Sequence, residues 1–236
     1  MNGIDRRNLL AVAGAVGAAG LAKPAMAAPA PTPPQTGVAA TFAPRPLPFD
    51  PKTVPGLSEA LLTSHHDNNY VGAVKRLNAI HASLGSLDPA TAPVFALNGL
   101  KREELIAWNS MILHELYFRG LGGSRTGPSA GLAQALERDF GSHDRWAAEF
   151  SAMGKALGGG SGWVLLTWSP RDQRLTNQWG ADHTMALAGA TPILALDMYE
   201  HAYAMDYGAK AGAYVDAFMA ATGWDEADAV FQRLVA

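Results

Sequence analysis

The feature that most constrains this chain is an apolar run near its C-terminal end that stops at a carboxylate. The run is Pro192–Leu196, and Asp197-Met198-Tyr199-Glu200-His201-Ala202-Tyr203 follows it directly. A short apolar run bounded by polar residues is typical of a buried strand. A carboxylate and an imidazole four residues apart at the end of a strand can be held rigidly as metal ligands, with one face open to a small molecule. A carboxylate and a histidine at this spacing are common in proteins, so the pair indicates a metal site only together with its neighbouring residues.

Those neighbours make the stretch similar to a known signature. Asp197 to Tyr203 resembles the pattern D-x-W-E-H-A-Y-Y of the iron/manganese superoxide dismutase family. By this resemblance, Asp197 and His201 are two ligands of a redox-active metal ion. The resemblance extends in order over roughly residues 47–236.

Two earlier segments resemble the other ligand regions of the same family. The run from His65 to Asn78 resembles the pattern H-x-x-K-H-H-x-x-Y-V-x-x-L-N, and its last residues fix the register on His65 rather than His66. The run from His114 to Phe118 resembles N-H-x-x-x-W. The resemblance therefore implies that His65 and His114 complete the ligand set.

Three imidazoles and one carboxylate suit a first-row transition ion better than calcium or magnesium, which prefer oxygen ligands. Zinc accepts the same ligands, so the spacing alone leaves the metal open. The family resemblance implies one iron or manganese ion per subunit. It also implies a superoxide dismutase, an oxidoreductase that converts superoxide into oxygen and hydrogen peroxide.

Several positions that surround the ligands in the family carry other residues here: Asn69, Ala73, Ser110, Gly159 and Ala204. The first stands in place of a histidine, the second in place of a gateway tyrosine, and the last in place of the tyrosine that reaches that histidine across the dimer. Ser110 and Gly159 occupy the two places expected for the glutamine that holds the metal-bound solvent. Phe118 and Tyr199 replace tryptophans. We therefore expect metal binding with altered or reduced dismutase activity.

Two alternatives remain open. The first is a metal-binding relative that does not dismutate superoxide, favoured by the same five replacements. The second is an unrelated helical zinc metallohydrolase, which lacks an obvious general base beside the ligands. The types of residue that distinguish the iron form from the manganese form are missing, so the sequence does not identify the metal.

Other residues near the ligands receive secondary roles by the same resemblance. His66, Asn69 and Tyr199 are expected beside the ligands. Glu200 resembles the residue that bonds the partner subunit's His201, which implies a homodimer, and Tyr203 is expected at the same interface. The remaining histidines lack family counterparts and are expected at surface or ordinary polar positions: His81, His143 and His183.

The N-terminus resembles an export signal. Asp5–Leu10 contains a twin-arginine motif, a mildly apolar stretch follows it, and an A-x-A-like cleavage site ends after Ala27. We expect residues 1–27 to be a signal peptide that directs the protein to the periplasm or another exported location. The apolar stretch is too short and too rich in glycine for stable membrane insertion.

The charge and the cysteine content of the chain limit the kinds of partner and cofactor that it can bind. The formal net charge is −3, and removal of residues 1–27 would leave 15 basic against 20 acidic residues. An acidic chain without a basic patch argues against a nucleic-acid partner. The chain has no cysteine, which excludes disulfides, thiolate ligands and iron–sulfur clusters.

The order of patterns predicts an α+β fold. A proline-rich linker is expected at residues 28–46, a helical hairpin domain at 47–125 and a C-terminal α/β metal-binding domain at 126–236. Helical patterns cover 57–83 and 102–120, and two more helices are expected between 129 and 157. Three short runs, at 163–168, 174–179 and 192–196, predict a small antiparallel sheet. The family resemblance implies the division into a hairpin part and an α/β part, with two ligands from each.

Overall fold

The computed structural model describes residues 41–124 and 127–236. It confirms the α+β class, with a helical N-terminal part and a C-terminal α/β part around a three-stranded antiparallel sheet. The α-helices are α1 (Glu59–Ser64), α2 (Val71–Ser86), α3 (Val94–Arg119), α4 (Ala130–Phe140), α5 (His143–Ala156), α6 (Ala204–Tyr207), α7 (Ala211–Ala221) and α8 (Asp225–Val235). The strands are β1 (Trp163–Ser169), β2 (Arg174–Gly180) and β3 (Thr191–Asp197). None of the described helices combines the length and apolar character needed to cross a membrane.

The first helical segment is continuous but not uniform. Ser58 caps α1 by accepting a hydrogen bond from the backbone N–H of Leu61 at 3.1 Å. Between α1 and α2 the chain adopts a π-helical turn over His65–Tyr70. A π-turn widens the helix locally and is frequent at functional sites. Here it begins at the first predicted ligand.

The second helix, α3, is longer than its sequence pattern indicates. It begins at Val94, directly after Pro93, rather than at the predicted Arg102. Val94 and Phe95 are 83% and 78% exposed, so the first turns of the helix lack the apolar periodicity on which the prediction relied. At its C-terminal end, a Cβ on Gly120 would lie 2.9 Å from the Leu194 side chain, so the absence of a side chain lets α3 end against β3.

The sheet has the order β2-β1-β3, and both pairings are antiparallel. All seven residues of the central strand β1 are buried, and each strand extends slightly beyond its predicted ends. Trp163, the first residue of β1, pairs with Gly180 on one side and with Asp197 on the other. This register places the last residue of β2 and the last residue of β3 at the same end of the sheet, on either side of Trp163.

The turn before β1 depends on a glycine. Gly162 has φ +136°, and a Cβ at this position would lie 2.2 Å from the Gly180 carbonyl oxygen. Its own carbonyl accepts a hydrogen bond from the backbone N–H of Met198 at 2.9 Å. The residue after Asp197 is therefore fixed to the start of β1, which holds the carboxylate in place.

The N-terminal predictions fall partly outside the described residues. This applies to the signal peptide, to residues 28–40 of the linker, and to the domain boundary at 125/126. Residues 41–46 form no helix or strand, but they lie against the body of the protein. Phe42 packs on the core, and its backbone N–H and C=O are both hydrogen-bonded to the Asn78 side chain, at 2.9 and 2.8 Å.

Candidate metal centre

Four side chains from four different elements meet in the interior. One ligand atom each from His65, His114, Asp197 and His201 lies within 4.8 Å of all the others. The Oδ2 atom of Asp197 lies 3.1 Å from Nε2 of His65, 3.2 Å from Nε2 of His201 and 3.5 Å from Nε2 of His114. These residues come from the π-turn, from α3, from the end of β3 and from a 3-10 turn at Glu200–Ala202. These are the four residues that the family resemblance implies as ligands.

The cluster is closed on most sides. His65 and His114 are each 1% exposed and Asp197 is fully buried, whereas the side chain of His201 is 27% exposed. His201 is therefore the most exposed of the four residues within this chain.

Hydrogen bonds around the cluster fix which atoms face its centre. The Nδ1–H of His114 donates to the Ser110 carbonyl oxygen at 2.6 Å, so its Nε2 carries a lone pair. That Nε2 is buried and has no hydrogen-bond partner among the described residues. The backbone N–H of Tyr199 donates to Asp197 Oδ1 at 2.9 Å and leaves Oδ2 facing the imidazoles. A lone pair 3.5 Å from a carboxylate oxygen is repulsive unless a cation lies between them, so these residues fit a metal ion.

The protonation states of the buried ligands also suit metal binding. Burial lowers the pKa of His65, and it lowers the pKa of His114 to about 3. Burial alone would raise the pKa of Asp197, but hydrogen bonds from His201 and His65 outweigh it and hold that pKa well below its usual range. At neutral pH the buried pair of imidazoles is therefore neutral and the carboxylate is ionised, which are the forms that bind metals.

Aromatic rings form the wall of the site. The Phe118 ring lies 5.1 Å from the ring of His65, and the Trp163 ring meets that of His114 edge-on at 5.3 Å. Behind them, the Tyr214 hydroxyl donates to the Asp197 carbonyl oxygen at 2.8 Å. An apolar wall limits access of water and thereby influences the redox potential of a bound ion.

His183, for which the sequence predicted a surface or ordinary polar position, lies half-buried beside this wall. Its ring is 6.3 Å from that of His114 and 5.6 Å from that of Trp163. The Nδ1 atom of His183 lies 3.0 Å from the Tyr199 hydroxyl, and the Asn109 amide donates to its backbone carbonyl at 2.6 Å. Its Nε2 is buried and finds no hydrogen-bond partner in the part of the chain that the structure describes.

The sequence contained a signal for His183 that the motif comparison missed. His183 follows β2 by three residues, and the end of β2 pairs with Trp163, which also pairs with Asp197. A residue just after β2 must therefore lie near the carboxylate.

Neither of the two positions where the family resemblance expects a glutamine supplies a polar side chain of that length. The Ser110 carbonyl oxygen accepts the hydrogen bond from His114 Nδ1–H, and a Cβ on Gly159 would have no atom within 4 Å.

Two of the residues expected around the ligands, His66 and Asn69, lie in the π-turn. The Nε2 of His66 is bonded to the Arg45 carbonyl oxygen at 2.8 Å, and the His66 ring contacts Phe118 at 5.7 Å, so one ring separates it from His65. Asn69 is half-buried in the π-turn.

The other three residues expected around the ligands follow Asp197 in the sequence, and their surroundings differ from one another. The Tyr199 ring stacks on that of His201 at 5.4 Å. Glu200 is exposed next to His201. Tyr203 is 2% exposed and stacks on Tyr214 at 5.3 Å within the same chain, and its interface role stays a prediction.

Comparison with known proteins agrees with this geometry. Residues 128–230 match the family model described as "Iron/manganese superoxide dismutases, C-terminal domain". The chain is 67% identical over 191 residues to "Superoxide dismutase [Fe]" of Cupriavidus metallidurans, covering 81% of this chain and 96% of that relative. It is 36% identical over 193 residues to "Superoxide dismutase [Mn] 1" of Halobacterium salinarum, covering 80% and 94%. The chain belongs to the iron/manganese superoxide dismutase family.

Proposed function

We propose that the protein is a superoxide dismutase that binds one iron or manganese ion through His65, His114, Asp197 and His201. The observation that carries this proposal is the convergence of three imidazole nitrogens and one carboxylate oxygen within 4.8 Å. A bound iron or manganese ion supplies one-electron redox chemistry, which turns one superoxide into oxygen and the next into hydrogen peroxide. The side chains would hold the ion and exclude water from most of its surroundings.

Formation of hydrogen peroxide consumes two protons, and the chain offers a proton donor beside the site. Burial raises the pKa of Tyr199 to about 12, so its phenol keeps its proton at neutral pH. We assign this hydroxyl as the donor to Nδ1 of His183, 3.0 Å away, which leaves a proton on Nε2. That buried Nε2–H then has no partner among the described residues and is available to a molecule in the site.

The ligand assignment predicts the metal content of a variant. His201→Gln should lower iron plus manganese at least tenfold and abolish dismutase activity, because it removes the most accessible ligand while the buried ones keep the fold. Elemental analysis and a superoxide assay on one purified sample measure both, and circular dichroism checks folding. His143→Gln, at an exposed position on α5, is the control and should retain both properties. Folded wild-type protein without iron or manganese would refute the assignment.

We also propose that activity is altered relative to family members that carry the glutamine, histidine and tyrosine network. In this chain the Tyr199 hydroxyl and His183 are hydrogen-bonded to each other beside the site. Ala73, which stands in place of the gateway tyrosine, is small and buried and offers no hydroxyl. Tyr199→Phe should lower dismutase activity about tenfold at unchanged metal content, because loss of an outer partner of this kind typically costs 10–100-fold.

The control for this variant is Tyr207→Phe, which removes a hydroxyl bonded to the Gly56 carbonyl. Unchanged activity in Tyr199→Phe would exclude a role for the pair. Wild-type turnover equal to that of a family member with the complete network would contradict the altered activity. A metal-loaded wild type without measurable dismutation would instead support the non-dismutating alternative, which the replacements at Asn69, Ala73 and Ala204 favour.

We propose that the protein is exported by the twin-arginine route and acts in the periplasm or a comparable location. The support is the sequence Asp5-Arg6-Arg7-Asn8-Leu9-Leu10 with a cleavage site after Ala27. This route carries folded proteins, so a metal ion can be inserted before export. Mass spectrometry of the exported protein should find an N-terminus at Ala28, and Arg6→Lys with Arg7→Lys should retain the chain in the cytoplasm. An unprocessed wild-type chain would contradict the proposal.

We propose a homodimer in which Glu200 approaches the partner subunit's His201. Glu200 is exposed next to His201 and forms no ion pair within the described residues, so it is free to act across an interface. Glu200→Ala should weaken the dimer at least tenfold in analytical ultracentrifugation, whereas Glu137→Ala, on an exposed part of α4, should not. A wild-type protein that is monomeric at micromolar concentration would exclude this arrangement.

A further inference from the structure

The segment that carries His183 is held in place by side chains that bond its backbone. It belongs to the connection between β2 and β3, residues 181–190. The Asn109 amide donates to the His183 carbonyl oxygen at 2.6 Å, which fixes the segment to α3. The Met185 sulfur accepts a hydrogen bond from the Ala181 backbone N–H at 3.1 Å. Because Ala181 and Met185 lie two residues before and two residues after His183, this second bond closes a turn around it.

The turn at residues 181–185 is compact. The Oδ1 atom of Asp182 accepts hydrogen bonds from the backbone N–H of Thr184 at 2.7 Å and from its hydroxyl at 2.6 Å. Met185 lies close to the end of β2, since a Cβ on Gly180 would be 3.7 Å from the Met185 Cβ. These contacts hold the His183 ring beside the metal ligands.

The sulfur that closes this turn belongs to a side chain that solvent reaches. Met185 is 41% exposed, and Met205, at 58%, is the other exposed methionine among the described residues. The remaining described methionines are buried or half-buried: Met111, Met153, Met198 and Met219. An accessible thioether is readily oxidised to a sulfoxide, which turns a flexible apolar side chain into a polar one.

We propose that Met185 is a site of oxidation by hydrogen peroxide, and that its sulfoxide opens the turn that holds His183. An S–O bond forms as the O–O bond of the peroxide breaks, the sulfur is oxidised by two electrons, and the second oxygen leaves as water with both protons. The inference rests on the proposed function for its oxidant, because dismutation of superoxide produces hydrogen peroxide at the site beside His183.

The sulfoxide cannot keep the hydrogen bond that Met185 makes as a thioether. A thioether sulfur is a weak acceptor through its lone pairs, whereas the sulfur of a sulfoxide carries positive charge. An oxygen acceptor needs about 2.7–3.2 Å to the donor nitrogen, and the sulfur itself already lies 3.1 Å from the Ala181 nitrogen. An oxygen on that side must push the side chain away, and an oxygen on the other side leaves a positive sulfur against the N–H. In both cases the bond is lost.

Hydrogen peroxide added to the purified, metal-loaded protein tests the proposal. Peptide mass spectrometry should find one added oxygen on Met185, and amide hydrogen exchange of residues 181–184 should become at least tenfold faster. Dismutase activity should fall about tenfold at unchanged metal content, as expected when an outer partner of a metal site is lost. Treatment with methionine sulfoxide reductases should restore the slow exchange and the activity.

Two variants at the exposed methionines are the controls. Met185→Leu removes the sulfur, so its exchange at residues 181–184 should be the same before and after peroxide. Met205→Leu keeps the turn intact and should respond to peroxide as the wild type does. Thermal unfolding checks that both variants fold. A loss of activity in Met185→Leu equal to that of the wild type would assign the damage to the metal site and would contradict the role of the turn.

Three results would overturn the proposal. Met185 that stays unmodified while Met205 is oxidised would show that the peroxide does not reach this sulfur. A sulfoxide at Met185 with unchanged exchange at residues 181–184 would show that the turn does not depend on the sulfur, and so would activity that the reductases do not restore. The mass and exchange measurements do not use dismutase turnover. Failure of the proposed function would appear separately, as inactivity of the untreated protein.

Discussion

The Asp197 carboxylate is the group on which the rest of the site depends. It is fully buried, and its two oxygens have different partners, because Oδ1 accepts the Tyr199 backbone N–H whereas Oδ2 faces three imidazoles. A buried ionised group is costly unless it is paired or binds a metal. The register of β1 with β3 and the hydrogen bond from the Met198 N–H to the Gly162 carbonyl fix the position of this group at the end of β3.

The helical hairpin complements this fixed carboxylate. The π-turn presents His65 from one side, and the intrahelical hydrogen bond from His114 to Ser110 orients the second imidazole from α3. The close approach of Gly120 to Leu194 lets α3 end against β3. A cation bound to these four side chains would join the hairpin to the sheet, so the same residues would serve stability and function.

The sequence predicted the sheet from local patterns, and the family resemblance pointed to the four residues that the structure brings together. The limits of β1 and β3 follow from short apolar runs, and Asp197 to Tyr203 is a continuous motif. The start of α3 was missed because Val94 and Phe95 are exposed and give no amphipathic pattern. His183 was missed for another reason: it lies in an irregular connection, and its position follows only from the pairing of β2 and β3 with the same residue of β1. Long-range register is not visible in a motif.

The replaced residues form a coherent set. An isolated polar group left buried without its partner costs about 1–3 kcal/mol, so removing the histidine and the tyrosine of one network together avoids that cost. In the altered network that we propose, Asn69 and Ala204 stand at the two ends, and Ala204 is exposed in this protein. On the other side of the ligands, Tyr199 and His183 satisfy each other and leave one buried nitrogen without a partner among the described residues. A buried donor without a partner carries a similar penalty, so this nitrogen is one of the polar atoms beside the ligands that the described residues leave unsatisfied.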